Sequence, residues 1–251
     1  MKIVINPKYE YLREWLERIP IFFENDGKVI YKYRNLIKSF SLDRGVVLNV
    51  KRYKIPPFYN RIVYSFFRKS KAHRAYYNTL KIAEKGFDTA EAVAFIEINK
   101  NGLFSDSYFV SLQCLDVKEI REFYEGPLSG NEEVIDAFTR YSAALHDAGI
   151  FHLDYSPGNI LFRRENGKYI FILVDVNRMK FVPVSFDVGC RNFARLFVDD
   201  EIYERIGRLY FRLRENTMDE DGVIQLIIQY KNQFWKNKAR RNRVKKILKH
   251  K

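Results

Sequence analysis

The sequence predicts an α+β fold in two lobes, a small β-rich N-terminal lobe with one packed helix and a mainly α C-terminal lobe. Three observations carry that reading: alternating apolar residues through positions 28–53, helical periodicity throughout 131–149 and from 185 onward, and a single Asn-Gly hairpin signal between them. The 251 residues are 47% hydrophobic and 16% aromatic, enough to bury a full core and too apolar for a disordered chain.

The first lobe begins with "KVIYKYRNLIKSFSLDRGVVLNVKRY", which reads as a three-stranded meander turning at Arg34-Asn35 and at Asp43-Arg44-Gly45. After Pro56-Pro57, the apolar residues of "RIVYSFFRKSKAHRAYYNTLKIAEKGF" recur at helical spacing as far as Gly86, a glycine suited to ending a helix. "AVAFIEI" and "SYFVSLQCL" then form a hairpin through Asn101-Gly102, and this lobe is assigned residues 1–116.

The second lobe, 117–235, opens with the helix "NEEVIDAFTRYSAALHDAG". It is interrupted only by a pair of strands, "ILFRR" and "YIFILVDV", joined through "ENGK". "SFDVGCRNFARLF", "EIYERIGRLYFRLREN" and "GVIQLIIQYKNQFWKNKARRNRVKKILK" follow as helices with apolar stripes. Cys114 and Cys190 have no metal-ligand spacing and read as buried small residues.

The formal charge of +13 is concentrated at one end. The last sixteen residues, 236–251, hold nine Lys or Arg and no acid, leaving +4 for the other 235. Such a tail attracts a polyanion, and Val244, Ile247 and Leu248 share one face of its helix, the pattern of a segment lying on an anionic membrane surface. Nucleic acid is the weaker reading, since no aromatic residues interleave the charge. No apolar stretch reaches the roughly 18 residues of a bilayer span, and the N-terminus reads as no secretory signal; the expectation is a cytoplasmic protein, peripheral on the inner face of the cytoplasmic membrane.

The chemistry concentrates in "GIFHLDYSPGNILF". His152, Asp154 and, five positions on, Asn159 precede a hairpin whose second strand ends on Asp175. Phosphoryl transfer from ATP needs a carboxylate to accept the proton of the attacking hydroxyl and hard oxygen ligands for Mg²⁺. The hairpin returns Asp175 toward Asn159, so both suit one metal. This is the spacing of a kinase catalytic loop and its metal-binding Asp. The bland alternative makes Asp154 and Asn159 turn formers around Pro157-Gly158. His152 is assigned to the loop as a brace rather than a proton carrier. A kinase also holds the phosphates with a lysine on its third strand. "VVLNVK" places Lys51 there, with Lys54 as the second choice, facing the opposite way.

Together "HLDYSPGNILF", "LVDVNRMKF", "VLNVKRY" and "LKIAEKGFDTAEAVAF" resemble the lipopolysaccharide core kinases, the Kdo/WaaP family of small protein-kinase-like enzymes, over most of residues 25–200. The resemblance implies a bilobal protein-kinase-like fold and ATP- and Mg-dependent phosphorylation of a Kdo or heptose hydroxyl in the lipopolysaccharide inner core. It makes Asp154 the base, Asn159 and Asp175 the metal ligands, and Lys51 the phosphate clamp. Two departures stand out. "YKYRNLIKSF" contains no glycine, so Arg34 and Asn35 must cover the phosphates differently, and the helix after the lysine strand has no acid before Glu84. These departures keep open a nucleotide- or membrane-binding scaffold without turnover. Only eleven residues separate Asp175 from Asp187, which leaves little room to grip a peptide and favours a glycan or another small hydroxyl acceptor, an aminoglycoside included; the basic tail suits a lipopolysaccharide core or lipid A-linked sugar.

Overall fold

The structure is a computed structural model; it describes residues 1–33, 35–55 and 57–249, with the side chains of 58, 60, 62, 66 and 245–249 outside that description. The chain divides into two units, one made of residues 1–115 with 175–178, the other of 116–174 with 179–251.

In the first unit the elements run β1 (Lys2–Ile5), α1 (Arg13–Phe22), β2 (Lys28–Lys32), β3 (Asn35–Ser41), β4 (Val47–Tyr53), α2 (Phe58–Phe66), α3 (Lys71–Glu84), β5 (Ala92–Lys100) and β6 (Leu103–Leu112). The six strands form one antiparallel sheet in the order β1-β5-β6-β4-β3-β2. The three meander strands and the Asn101-Gly102 hairpin are as the sequence predicts, but Asn35, expected in the first turn, opens β3 opposite Tyr53, and Arg34 lies outside the described residues. Strand alternation sorts the two faces of the sheet. Leu48 and Val50 of β4 pack with Leu16, Ile19 and Phe23 of the α1 segment, while Tyr53 packs with Ala72, Ala75 and Tyr76 of α3. Lys51 has the parity of Tyr53, which puts it on the α3 side.

One packed helix was expected in this unit, and three are present. The long helix predicted over 61–87 is two helices, because Ser70 interrupts it: its Oγ accepts the His73 N–H at 3.0 Å and starts α3 afresh. β1 and α1 had no forecast. β1 pairs with β5, and α1 fills the other sheet face.

The second unit contains β7 (Lys118–Glu119), α4 (Glu132–Asp147), β8 (Ile150–His152), β9 (Ile160–Glu165), β10 (Lys168–Leu173), β11 (Met179–Phe181), α5 (Phe186–Asn192), α6 (Asp200–Leu213) and α7 (Glu220–Lys249). Asn166 and Gly167 both take positive φ, 49° and 78°, the backbone that a two-residue hairpin turn requires. The expectation of only one strand pair needs correction. β7 adds a third strand to β9 and β10, and β8 pairs with β11, strands too short to show periodicity. The core gathers around Phe138 of α4, whose ring centroid lies 5.7 to 6.4 Å from those of Tyr155, Phe171, Phe193 and Phe197. α7 is buried at Val223, Ile227 and Lys231, but every residue from 236 to 244 is exposed. Cys190 is wholly buried, whereas Cys114 is only half-buried, short of the expectation.

Candidate active site

The loop after β8 is held from beneath. His152 is 2% exposed and uses both ring nitrogens. Nδ1 accepts the Asp154 N–H at 3.0 Å, which leaves the proton on Nε2 to be donated to the Val174 carbonyl at 3.3 Å. That geometry braces the loop and leaves no lone pair for proton transfer. Tyr155, 1% exposed, donates to Ser142 Oγ at 2.7 Å, and Ser142 donates onward to the Phe138 carbonyl. The buried Tyr155 anchors Asp154's backbone to α4, and Leu153 and Asp154 are left toward the surface.

Asn159 stands at the other end of the loop. Its Nδ2 donates to the Asp154 carbonyl at 2.9 Å, and its own carbonyl accepts the Val174 N–H at 3.0 Å. The amide nitrogen is thereby committed to the loop, and the side-chain oxygen is the polar atom left for a ligand. The Asp154 carboxylate is ion-paired with Arg195, whose guanidinium lies 5.7 Å from the Phe234 ring centroid.

Asn192, at the end of α5, donates from Nδ2 to the His152 carbonyl at 3.1 Å and accepts at Oδ1 from His146 Nε2 at 3.1 Å. His146 in turn accepts at Nδ1 from the Tyr210 hydroxyl at 2.9 Å. Burial drives the His146 pKa down to about 4, so the ring is neutral here. Asp187, near the start of α5, accepts from the Tyr230 hydroxyl; Asn192 holds the loop.

In the first unit Lys51 Nζ and Asp175 Oδ1 are 2.6 Å apart, with side chains 10% and 29% exposed. Asp175 follows directly on Val174, where the chain leaves β10, and takes a positive φ of 54°, a conformation Asp tolerates better than most residues. Asn177 Nδ2 donates to the same carboxylate. Asn78 of α3 donates to the Val176 carbonyl at 2.7 Å, so α3 grips the Asp175 segment with an amide where the departure noted from sequence left no acid. Tyr53 Oη is buried and has no hydrogen-bond partner among the described residues. Burial and then the charge of Asp175 raise its pKa well above the phenol value.

Lys54 lies beyond the end of β4, exposed, with its backbone N–H donating to Asn35 Oδ1 at 3.4 Å. Arg34 lies outside the described residues. Ile247 and Leu248 do too in their side chains, and Val244 is 49% exposed. Sequence reasoning missed Arg195, Asn78, Asn177 and Asn192. Asn192, Arg195 and Asn78 come to the site from α5, just beyond it and α3, with no fixed offset from the motif, whereas Asn177, two positions after Asp175 in "LVDVNRMKF", was within that segment and could have been found there.

Carboxylate and amide oxygen are the donors a hard cation takes, and Asp175 in the first unit and Asn159 in the second each carry one. Among the described residues no cluster of three His, Cys, Asp or Glu gathers, and no helix is long and apolar enough to cross a membrane.

No protein-family model matches the chain, and no curated protein matches it. Among solved structures, WaaP in complex with acyl carrier protein superposes with a TM-score of 0.62 at 18% identity, over 93% of this chain and 99% of that one. The Rio2 kinase–ADP/Mg²⁺-phosphoaspartate complex from Chaetomium thermophilum gives a TM-score of 0.47 at 14% identity, over 89% and 67%. The α+β, protein-kinase-like fold expected from the motifs is therefore the fold of this chain, which is similar to WaaP along nearly its whole length.

Proposed function

We propose that this protein is an ATP- and Mg-dependent phosphotransferase that phosphorylates a Kdo or heptose hydroxyl of the lipopolysaccharide inner core. The observation that carries the reading is the Lys51–Asp175 ion pair. A buried strand lysine facing a carboxylate two residues beyond the end of β10 is the arrangement that nucleotide phosphates and their cation need.

In this reading Lys51 holds phosphate oxygens through its ammonium. Asp175 and Asn159 hold Mg²⁺, which when bound neutralises charge on the transferring phosphoryl group. Asp154 accepts the proton of the attacking hydroxyl, Arg195 orients its carboxylate, and His152 and Asn192 keep the loop in place. Arg34, Asn35 and Lys54 are assigned to the nucleotide side. The short connection from Asp175 to α5 favours a sugar over a peptide. The exposed basic stretch from 236 favours a lipid-linked acceptor at the inner face of the cytoplasmic membrane. The complex named for WaaP makes acyl carrier protein a partner to try.

The test is phosphate transfer from labelled ATP with Mg²⁺ to Kdo-containing lipid A. Transfer by wild type, abolished in Asp154→Ala, supports the reading; transfer by Asp154→Ala at the wild-type rate removes Asp154 as the base. A scaffold without turnover is the second reading. It is favoured by the β2–β3 hairpin, where no glycine occurs between Gly27 and Gly45, and by an α3 without an acid before Glu84. Stabilisation by ATP and Mg²⁺ without transfer to any sugar, lipid or aminoglycoside acceptor would select it.

A further inference from the structure

We infer that α2 is a membrane-inserting element that lays its outer face into an anionic lipid surface, separately from the basic tail. Among the described residues, α2 docks onto the sheet through Arg61, Tyr64 and Ser65. Arg61 Nε donates to the Phe104 carbonyl at 2.7 Å, the Phe104 N–H donates to Ser65 Oγ at 2.8 Å, and Tyr64 meets the Phe104 ring at 5.5 Å. Three other described side chains are exposed. Tyr59, Val63 and Phe67, spaced four residues apart around this helix and its C-cap, are 67%, 39% and 83% exposed. Ile55, four positions earlier at the exit of β4, extends the apolar set at 47%. Four-residue spacing keeps such side chains on one face of a helix.

An apolar row of this kind on a water-facing helix calls for a covering. The charge around it says which. From Arg44 to Ala83 there is no acid, while the same forty residues hold ten Lys or Arg. Lys51 is turned inward to Asp175, but Lys54, Arg68 and Lys69 are exposed on either side of the row. Aromatic and aliphatic side chains bordered by cations are the composition of a helix lying in the interface of an anionic bilayer. A row spanning roughly 12 Å along the helix is too short for a stable protein interface, which buries about 800 Å² per partner. A lipid surface needs no such area and no matching shape.

The inference goes beyond the proposed reaction, and it is read without nucleotide or acceptor, so the two fail separately. The full chain is sedimented with vesicles of phosphatidylglycerol and phosphatidylethanolamine, and with phosphatidylcholine vesicles as the neutral control. Three variants accompany the wild type: Tyr59→Ser/Val63→Ser/Phe67→Ser, the apolar replacement Tyr59→Trp/Val63→Leu/Phe67→Trp, and Arg240→Gln/Arg241→Gln/Arg243→Gln in the tail. Circular dichroism melting checks the fold, and Phe67→Ser alone stands in if the triple serine variant does not fold. The expected result is anionic-vesicle binding that the serine variant weakens at least about tenfold, that the apolar replacement retains, and that the tail variant leaves dependent on α2. Wild-type binding by the serine variant, or no binding by wild type, overturns the inference. So does a serine variant that loses acyl carrier protein, offered as the acidic protein probe, but not vesicles.

Discussion

Lys51 of β4 and Asp175, the residue after Val174, form an ion pair of 2.6 Å on the α3 side of the sheet. The ammonium also lies 5.2 Å from the Tyr53 ring centroid, so strand and ring both fix it. With the Lys51 side chain 10% exposed and that of Asp175 29%, the pair is partly desolvated, and the cost of that offsets part of the attraction between the charges.

Lys51→Met is expected to reduce phosphate transfer at least about 100-fold, the scale seen when a charge-stabilising group is lost from a phosphoryl site. Asp175 keeps Asn177 as a partner and the charge of Lys71 but loses the 2.6 Å ion pair to Lys51. Being 29% exposed, it should cost about 1–2 kcal/mol of stability, less than a fully buried carboxylate. Urea unfolding of Lys51→Met beside Lys51→Met/Asp175→Asn checks this. The double variant should recover part of the loss, and an equal or greater loss would mean that the charges do not couple.

Asp154→Asn keeps the shape of the loop and removes the proton acceptor. Transfer is expected to fall about 10²- to 10⁴-fold with the melting temperature nearly unchanged. Arg195→Ala frees the carboxylate from its ion pair and should lower transfer less than Asp154→Asn does. A larger defect in Arg195→Ala, measured at saturating ATP and acceptor, would place the arginine on the substrate instead.

Both residues of those pairs that carry fixed motif spacing, Asp154 and Asp175, were legible in the sequence, as were the meander and the Asn166-Gly167 turn. Lys51, the partner of Asp175, was legible as well, whereas the partner of Asp154 was not. Arg195 and Asn192 reach the loop from α5 and just beyond, through tertiary packing that no local pattern encodes. The split between α2 and α3 was missed because apolar periodicity ran on across Ser70, whose capping role shows only in its bond to the His73 N–H. β8 and β11, three residues each, are too short for alternation to be visible.

Lys38 was not weighed from the sequence, although in "NLIKSFS" it shares the parity of Leu36 and Phe40, which pack in the core with α1. It is 4% exposed, and its Nζ donates to the carbonyls of Phe23, Glu24 and Asp26 at 2.7 to 2.8 Å. The three carbonyls belong to the turn that leaves α1, where helical partners have run out. Lys38→Met should leave them without their donor in a dry site and cost about 3 kcal/mol, by equilibrium urea unfolding. A change below about 0.5 kcal/mol would show that water replaces the ammonium there.

His146 gives the fold a dependence on acid. Its folded pKa is lowered to about 4 by burial, against 6.5 for the ordinary imidazole, so between these values the unfolded chain binds a proton that the folded chain refuses. Stability from this residue is therefore full above pH 6.5 and falls as the pH drops toward 4, by about 3 kcal/mol in all. The groups facing the ring are the Tyr210 hydroxyl, the Asn192 amide, and the charges of Arg214 and Asp147. Of these, Arg214 opposes protonation and Asp147 favours it. His73 shifts in the same direction, also from burial, so the total slope is not specific to one ring. The difference between wild type and His146→Gln is specific, since Gln keeps a donor for Asn192 Oδ1 and does not titrate. Unfolding free energies at pH 7 and pH 5 should fall about 2 kcal/mol further in wild type than in the variant. Equal losses in both would mean that His146 is already protonated in the fold, and then the Asn192 bond that holds the His152 carbonyl would have to be drawn with the imidazolium as its donor.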